Sequence, residues 1–330
     1  MLKKSSIIMI LFCILFISIY QSNPIHQYIT SIKNEESILN ATSQPTPSEQ
    51  KLYDYIVSEA QRLRIEPIDA RVDRVWKAIP GLNGREVDIE RTFLLARKDP
   101  TNMLIPFIFR EVVPDIQLED LGSVPIYKGN PHKPMISLMI NVAWKEENIP
   151  NMLQTLSDEN VKATFFFLGS WLKDHPNVAK QIAAEGHELA NHAYSHANMS
   201  ELSNTEARQE IEHTQQLIRD LLKVNNQLFA PPSGDYNAKT VEIARELGLY
   251  TIMWTLDTID WKEPHPDIVV KRISARMEPG ALILMHPTRS ASQALLGIIR
   301  EAKQRGLLIG TVSQLLSPNR VPEVEQFLSF

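Results

Sequence analysis

His192-Ala-Tyr-Ser-His196 sets two imidazoles four residues apart. At that spacing a helical turn points both side chains to one side, where they can grip one divalent ion. Two later segments could work beside such an ion. Asp257-Thr-Ile-Asp260-Trp261 offers an acidic pair and Leu284-Met-His286 a third imidazole, the groups that general acid–base chemistry uses. The upstream run Ile136-Ser-Leu-Met-Ile-Asn141-Val142-Ala-Trp144 holds no carboxylate. Two neutral histidines alone hold zinc weakly, because catalytic sites use three protein ligands. Plainer roles are open to the same residues. An isolated His-x-x-x-His is often ordinary helix surface, and Asp257 and Asp260 are of a type that caps loops.

Residues that act together need elements to position them. From Met135 onward, short apolar runs alternate with amphipathic stretches. Strands are expected at 136–140, 161–168, 187–191, 228–230, 251–256, 281–285 and 307–312. Helices are expected at 150–156, 177–184, 205–222, 238–247, 266–277 and 295–305, the third capped by Ser203. Repeated strand–helix units give a parallel sheet, and this many give a closed or nearly closed barrel. Chemistry in such barrels sits at the C-terminal ends of the strands. Asn141, His192, Pro231, Asp257 and His286 all fall just after expected strands.

The rest of the 330 residues sets the context. A net charge of -5 gives no electrostatic reason to expect nucleic acid. The one cysteine, Cys13, lies in an N-terminal apolar run, so the body has neither disulfide nor thiol chemistry. Lys3 and Lys4 precede eighteen uncharged residues, 5–22, and residues 1–22 read as a signal anchor or signal peptide. With no good cleavage site, an uncleaved anchor is favoured, lysines inside and body outside. Residues 23–48 have a linker's composition. Residues 49–126 read as a small α+β domain, 135–318 as the barrel and 319–330 as a tail.

Residues 135–318 resemble the polysaccharide deacetylase family (carbohydrate esterase family 4), and five motifs in order carry the resemblance. The second motif, His-Ser/Thr-x-x-His, matches His192 and His196. The third, Arg-x-Pro-x-Gly/Tyr, appears as Ala230-Pro-Pro-Ser-Gly234 without its arginine. The fourth, Asp-x-x-Asp-Trp, is intact as Asp257-Thr-Ile-Asp260-Trp261, and the fifth appears as Ile283-Leu-Met-His286. The first, Thr-Phe-Asp-Asp-Gly, has become Met139-Ile-Asn141-Val142-Ala143.

The resemblance implies an α/β fold, a distorted (β/α) barrel of metal-dependent hydrolases that remove acetyl groups from chitin, peptidoglycan or xylan. It implies metal ligands at His192 and His196, with a divalent metal, zinc among the candidates, bound weakly or not at all. It implies a general acid at His286, oriented by Asp260, and a lost base at Asn141. Pro231, Pro232, Trp261 and Leu284 would line the substrate pocket. Asn141 has no proton to exchange near neutral pH, and loss of a general base costs about 10²–10⁴-fold. Val142 offers a cation nothing. Glu146 or Glu147 could replace the missing ligand, and Trp144 could partly fill the cleft. The expected function is a deacetylase-like hydrolase of N-acetylated cell-envelope glycan with impaired or altered catalysis. Alternatives are a non-catalytic glycan-binding protein and a structural or assembly protein of the envelope. The expected partners are cell-wall polysaccharide and, through the N-terminal segment, the membrane. The expected location is the cell surface, or outside the cell if the signal is cleaved.

Overall fold

The computed structural model describes residues 46–98 and 105–321, so the expected anchor at 1–22, the linker up to residue 45 and residues 322–330 of the tail lie outside the described residues. No helix among the described residues is long and apolar enough to cross a membrane. The chain divides into two compact units, the smaller comprising described residues 46–59, 89–98 and 105–106. It holds most of α1 (Pro47–Leu63) and all of α2 (Ile89–Ala96). Tyr53 meets Phe93 edge-on, with ring centroids 5.4 Å apart, and Arg97 pairs with Glu49 at 3.5 Å.

The larger unit takes residues 60–88 and everything described from 107 onward. It opens with two antiparallel pairs, β1 (Arg71–Asp73) with β2 (Lys77–Ile79) and β3 (Gly84–Val87) with β4 (Phe109–Val112). Asp73 closes the first hairpin by accepting the amides of Val75 and Trp76. The segment expected as one domain at 49–126 is therefore divided between the units. Backbone bonding gives the reason for its strand-bearing part. The Ala78 amide donates to Pro125, and the Asn83 amide to Pro318.

The parallel sheet comprises β5 (Met135–Val142), β6 (Thr164–Phe167), β7 (Glu188–Asn191), β8 (Leu228–Phe229), β9 (Tyr250–Thr251), β10 (Leu256–Asp257), β11 (Leu282–Met285) and β12 (Leu308–Gly310). Their order is β10-β11-β5-β6-β7-β8-β9, with β12 paired to the first half of β5. The single strand expected at 251–256 is instead two short ones, because the chain changes partners between them. Ile126 donates its amide to Thr251 and accepts that of Met253, while Thr255 donates to Leu282. Ile126 bridges to Ile252, just after β9, and Lys128 to Ala281, just before β11, so residues 126–128 lie at the opening between the sheet's edge strands β9 and β10.

Outside the sheet run α3 (Ile149–Asp158), α4 (Gly169–Asp174), α5 (Pro176–Ala184), α6 (Asn204–Leu217), α7 (Ala238–Glu246), α8 (Pro266–Ser274), α9 (Arg289–Gln304) and α10 (Val312–Leu316). Ser203 caps α6 through a reciprocal box with Glu206, which satisfies two otherwise orphaned amides. All eight residues of β5 are buried, as a strand covered on both faces requires. Ile136, Leu138, Ile140 and Val142 enter the core shared with the helices, whereas Met135 and Met139 enter the interior core. That alternation turns Asn141 inward, and it turns Val142 the other way.

A carboxylate-poor candidate active site at the barrel mouth

The sheet gathers the expected site residues at the C-terminal ends of its strands. Asn141 is the penultimate residue of β5, His192 follows β7, Pro231 and Pro232 follow β8, Asp257 ends β10 and His286 follows β11. The His192–His196 segment is not a helical turn. Ala193 and His196 have left-handed backbones, φ 59° and 66°, and a helix cannot pass through them. The segment is a loop held from outside. Glu210 on α6 accepts the amides of Tyr194 and Ser195 at 2.9 and 2.8 Å and the Ser195 hydroxyl at 2.7 Å. Asp235 accepts the amide and the hydroxyl of Ser200, both at 2.8 Å. The two imidazoles meet edge-on, centroids 5.5 Å apart. No spacing in the sequence links Glu210 to this loop, so sequence reasoning missed it.

One backbone oxygen sets the protonation pattern of the site. Ala230 O can only accept, so His192 Nδ1, 2.8 Å away, carries the proton and donates to it. His192 Nε2 then presents a lone pair, and Asn141 Nδ2 approaches it at 3.5 Å, a long hydrogen bond. Burial pushes the His192 pKa down to about 3, so the ring is neutral at physiological pH. His196, at the rim, is lowered in the same direction by burial. On the far side of the same amide, Asn141 Oδ1 is buried with no hydrogen-bond partner.

These residues do not fit a catalytic metal. Asn141 faces the lone pair His192 would give a cation, and Val142 packs into the outer core. Neither expected substitute reaches in. Glu146 pairs with His175 at 3.4 Å, and Glu147 accepts from Asn148 at 3.4 Å. Backbone hydrogen bonding and the neighbouring Trp171 and His175 lower the Glu146 pKa despite partial burial. Among the described residues no group of three histidine, cysteine or acidic side chains could hold an ion.

The opposite half of the mouth is fully wired. Asp260 is completely buried and accepts three donors. His286 Nδ1 donates to Oδ1 at 2.8 Å, while the His286 amide and the Thr288 hydroxyl donate to Oδ2 at 2.7 and 3.1 Å. The arrangement fixes the tautomer, leaving His286 Nε2 as the ring nitrogen able to exchange a proton with a bound molecule. Trp144 stacks on the His286 ring at 5.2 Å and 28°, so it covers one side of that imidazole. Lys145 and Glu263, 4.0 Å apart, join the loops bearing Trp144 and Trp261.

The other expected residues have mixed placements. Asp257 caps its loop, accepting the Ile259 amide at 2.8 Å. Leu284 is buried on β11, and its carbonyl accepts the Thr258 hydroxyl at 2.9 Å. Pro231 and Pro232 are buried at the start of a short turn. Gly234 in that turn has φ 68°, and a Cβ there would lie 2.6 Å from the Trp254 ring. His187, just before β7, is buried. Its Nδ1 accepts the Ala163 amide, and burial together with nearby Lys162 pushes its pKa down to about 4.

The site thus keeps a buried Asp260–His286 pair and holds an amide, not a carboxylate, at Asn141. Comparison with known proteins gives the same balance. The family profile for polysaccharide deacetylase matches residues 128–252. An uncharacterised Bacillus subtilis protein, YlxY, is 37% identical over 89% of this chain and 90% of its own length. A peptidoglycan N-acetylglucosamine deacetylase of Bacillus cereus is 30% identical over 59% of this chain and 72% of its own. A family 4 pseudoenzyme from Bacillus anthracis, of known structure, is 42% identical, with a TM-score of 0.76 over 82% of this chain and 96% of that one. A mutant of that pseudoenzyme with restored enzymatic activity superposes equally well, with a TM-score of 0.76 at 41% identity. The chain belongs to the polysaccharide deacetylase family, carbohydrate esterase family 4.

Proposed function

We propose that the protein engages an N-acetylated cell-envelope glycan, peptidoglycan foremost, in the deacetylase cleft, with hydrolysis impaired. One observation carries the reading. An Asn141–His192 hydrogen bond stands where the family places a carboxylate, beside an intact Asp260–His286 pair. His286 Nε2 can still protonate a departing amine, and Asp260 orients the ring for it. Among the described residues no carboxylate stands at the Asn141 position to take a proton from a nucleophile, so His286 lacks the base that the family pairs with it. Pro231, Pro232, Trp261 and Leu284 line the ligand pocket. Residues 1–22 hold the body on the outer face of the membrane, where such a glycan is found. Peptidoglycan as ligand is supported by the Bacillus cereus relative, a peptidoglycan deacetylase.

The test measures two things on the full chain. Acetate release from chitin oligomers and peptidoglycan is followed with and without added zinc or cobalt, against a His192→Ala/His196→Ala control. Binding to insoluble peptidoglycan is measured in parallel. Binding with little or no acetate is the expected result. Rapid acetate release that requires both histidines would overturn the impairment. Absence of both binding and acetate would overturn the glycan reading itself.

A further inference from the structure

Beside the edge strand β10, two cations share a cavity without an anion. Arg272, in the last turn of α8, and Arg276, just past its end, both line a cavity of about 520 Å³. Trp254, Leu256, Ile259 and Ile273 supply its apolar walls. Among the described residues no ion pair joins either guanidinium to a carboxylate. Asp257, the one acid in the lining, accepts the Ile259 amide at 2.8 Å instead. Arg272 Nη1 donates to the Thr258 carbonyl at 2.5 Å, which fixes that fork and leaves its other nitrogens for a ligand. The end of α8 carries only about half a negative charge, against two full positive ones. The apolar wall is held as well, because the Gly234 backbone packs so close to the Trp254 ring that a Cβ would lie 2.6 Å from it.

The neighbouring backbone narrows the ligand class. β10 is an edge of the sheet, with no strand paired on its far side among the described residues. An extended peptide can lie along such an edge by main-chain hydrogen bonds. Paired guanidinium forks match a planar carboxylate. A phosphate would use the arginines but neither the edge nor the apolar walls. We infer that the cavity between α8 and β10 binds a carboxylate-bearing peptide, with Arg272 and Arg276 on the carboxylate and the peptide backbone extended along β10. The inference rests on the envelope-glycan reading only for the source of the peptide, since cell-wall glycan carries short acidic peptides. It goes beyond that reading. The cavity contains none of Asn141, His192, His196, Asp260 and His286, and it gives the chain a second hold on the wall, through peptide and not sugar.

Titration of the full chain compares four probes. These are the stem peptide L-alanyl-D-isoglutamyl-L-lysyl-D-alanine, the same peptide with its carboxylates amidated, glycerol phosphate and an N-acetylglucosamine hexamer. The acid peptide should bind about tenfold or more tightly than its amidated form. Arg276→Gln should weaken the acid peptide by about tenfold and leave the hexamer unchanged, and Arg276→Lys should recover only part of the loss, because lysine has no fork. In the wild-type chain the Nε–H resonances of Arg272 and Arg276 should shift with the acid peptide and not with the amidated one, a readout that needs no variant to fold. Equal binding of the two peptides, unmoved arginine resonances, or undiminished affinity in Arg276→Gln overturns the carboxylate capture. Glycerol phosphate bound as tightly as the acid peptide overturns the peptide assignment. Each of these leaves the glycan reading standing where the hexamer still binds. Failure to bind the hexamer and peptidoglycan, with the arginine shifts present, overturns the glycan reading and supports the peptide site.

Discussion

Asp260→Asn changes one atom in a completely buried carboxylate, and the surrounding bonds dictate the response. The two donors on Oδ2, the His286 amide and the Thr288 hydroxyl, hold an oxygen there, since a backbone N–H cannot accept. The new NH2 must then take the Oδ1 position, 2.8 Å from His286 Nδ1. Two donors cannot face each other, so His286 must give up its Nδ1 proton and carry it on Nε2. The substitution also removes the charge from three hydrogen bonds. Bonds to a charged group contribute about 1.5–3 kcal/mol each, against about 0.5–1.5 between neutral partners. Three such differences of about 1–1.5 kcal/mol, offset by no longer burying a charge, leave an expected net loss of about 2–3 kcal/mol once the tautomer flips and all three sites stay satisfied. Asp260→Ala, which orphans every partner, should lose more, about 3–5 kcal/mol. Urea unfolding measures the stabilities, and imidazole ¹⁵N shifts report which nitrogen is protonated. A His286 that keeps its proton on Nδ1 in a folded Asp260→Asn chain would refute the reasoning. So would a variant as stable as wild type.

Acid should destabilise the protein through its buried histidines. His187 has a folded pKa near 4 against an ordinary value of 6.5, so between those values the unfolded chain binds the extra proton and stability falls as pH falls. From pH 7 to 5 the loss is about 2 kcal/mol from this residue. His187→Asn, which keeps an acceptor for the Ala163 amide, should lose about that much less over the same interval in urea titrations. Glu210→Ala, which frees the amides of Tyr194 and Ser195, should cost about 1–3 kcal/mol and speed hydrogen exchange at those two positions. Asn141→Asp should release no acetate from chitin oligomers even with added zinc, because the third ligand is still missing and Val142 packs into the outer core. Val142→Asp alone should unfold at lower urea than wild type, since it puts a carboxylate into the apolar outer core.

Much of this was legible in the sequence. Strand-length apolar runs marked the sheet because all of β5 is buried, and a buried strand has no choice but to be apolar. Ser203 announced the start of α6 by capping chemistry alone. What stayed hidden depends on contacts between distant residues. The break between β9 and β10 follows from Ile126 entering beside Thr251, more than a hundred residues away. His187 is buried by the fold, not by its neighbours in the chain. The His192–His196 pair suggested a helix by spacing, but Glu210 holds it in a left-handed loop that periodicity cannot reveal.

The same contacts give a physical reason for which motif residues stand and which are replaced. His192 donates to the Ala230 carbonyl, and Asp260 accepts a backbone amide and the Thr288 hydroxyl. Each belongs to the wiring of the barrel mouth, and removing it would orphan buried partners whatever the protein's activity. By the family resemblance, the absent carboxylates and the absent arginine served the metal and each other. Their replacements Val142 and Ala230 are buried in the apolar core, and Asn141 is satisfied on one side by His192. Presence of His192 and Asp260 is therefore weak evidence for catalysis, because stability alone would keep them. Trp144 stands outside that wiring, a partly exposed indole laid over the His286 ring.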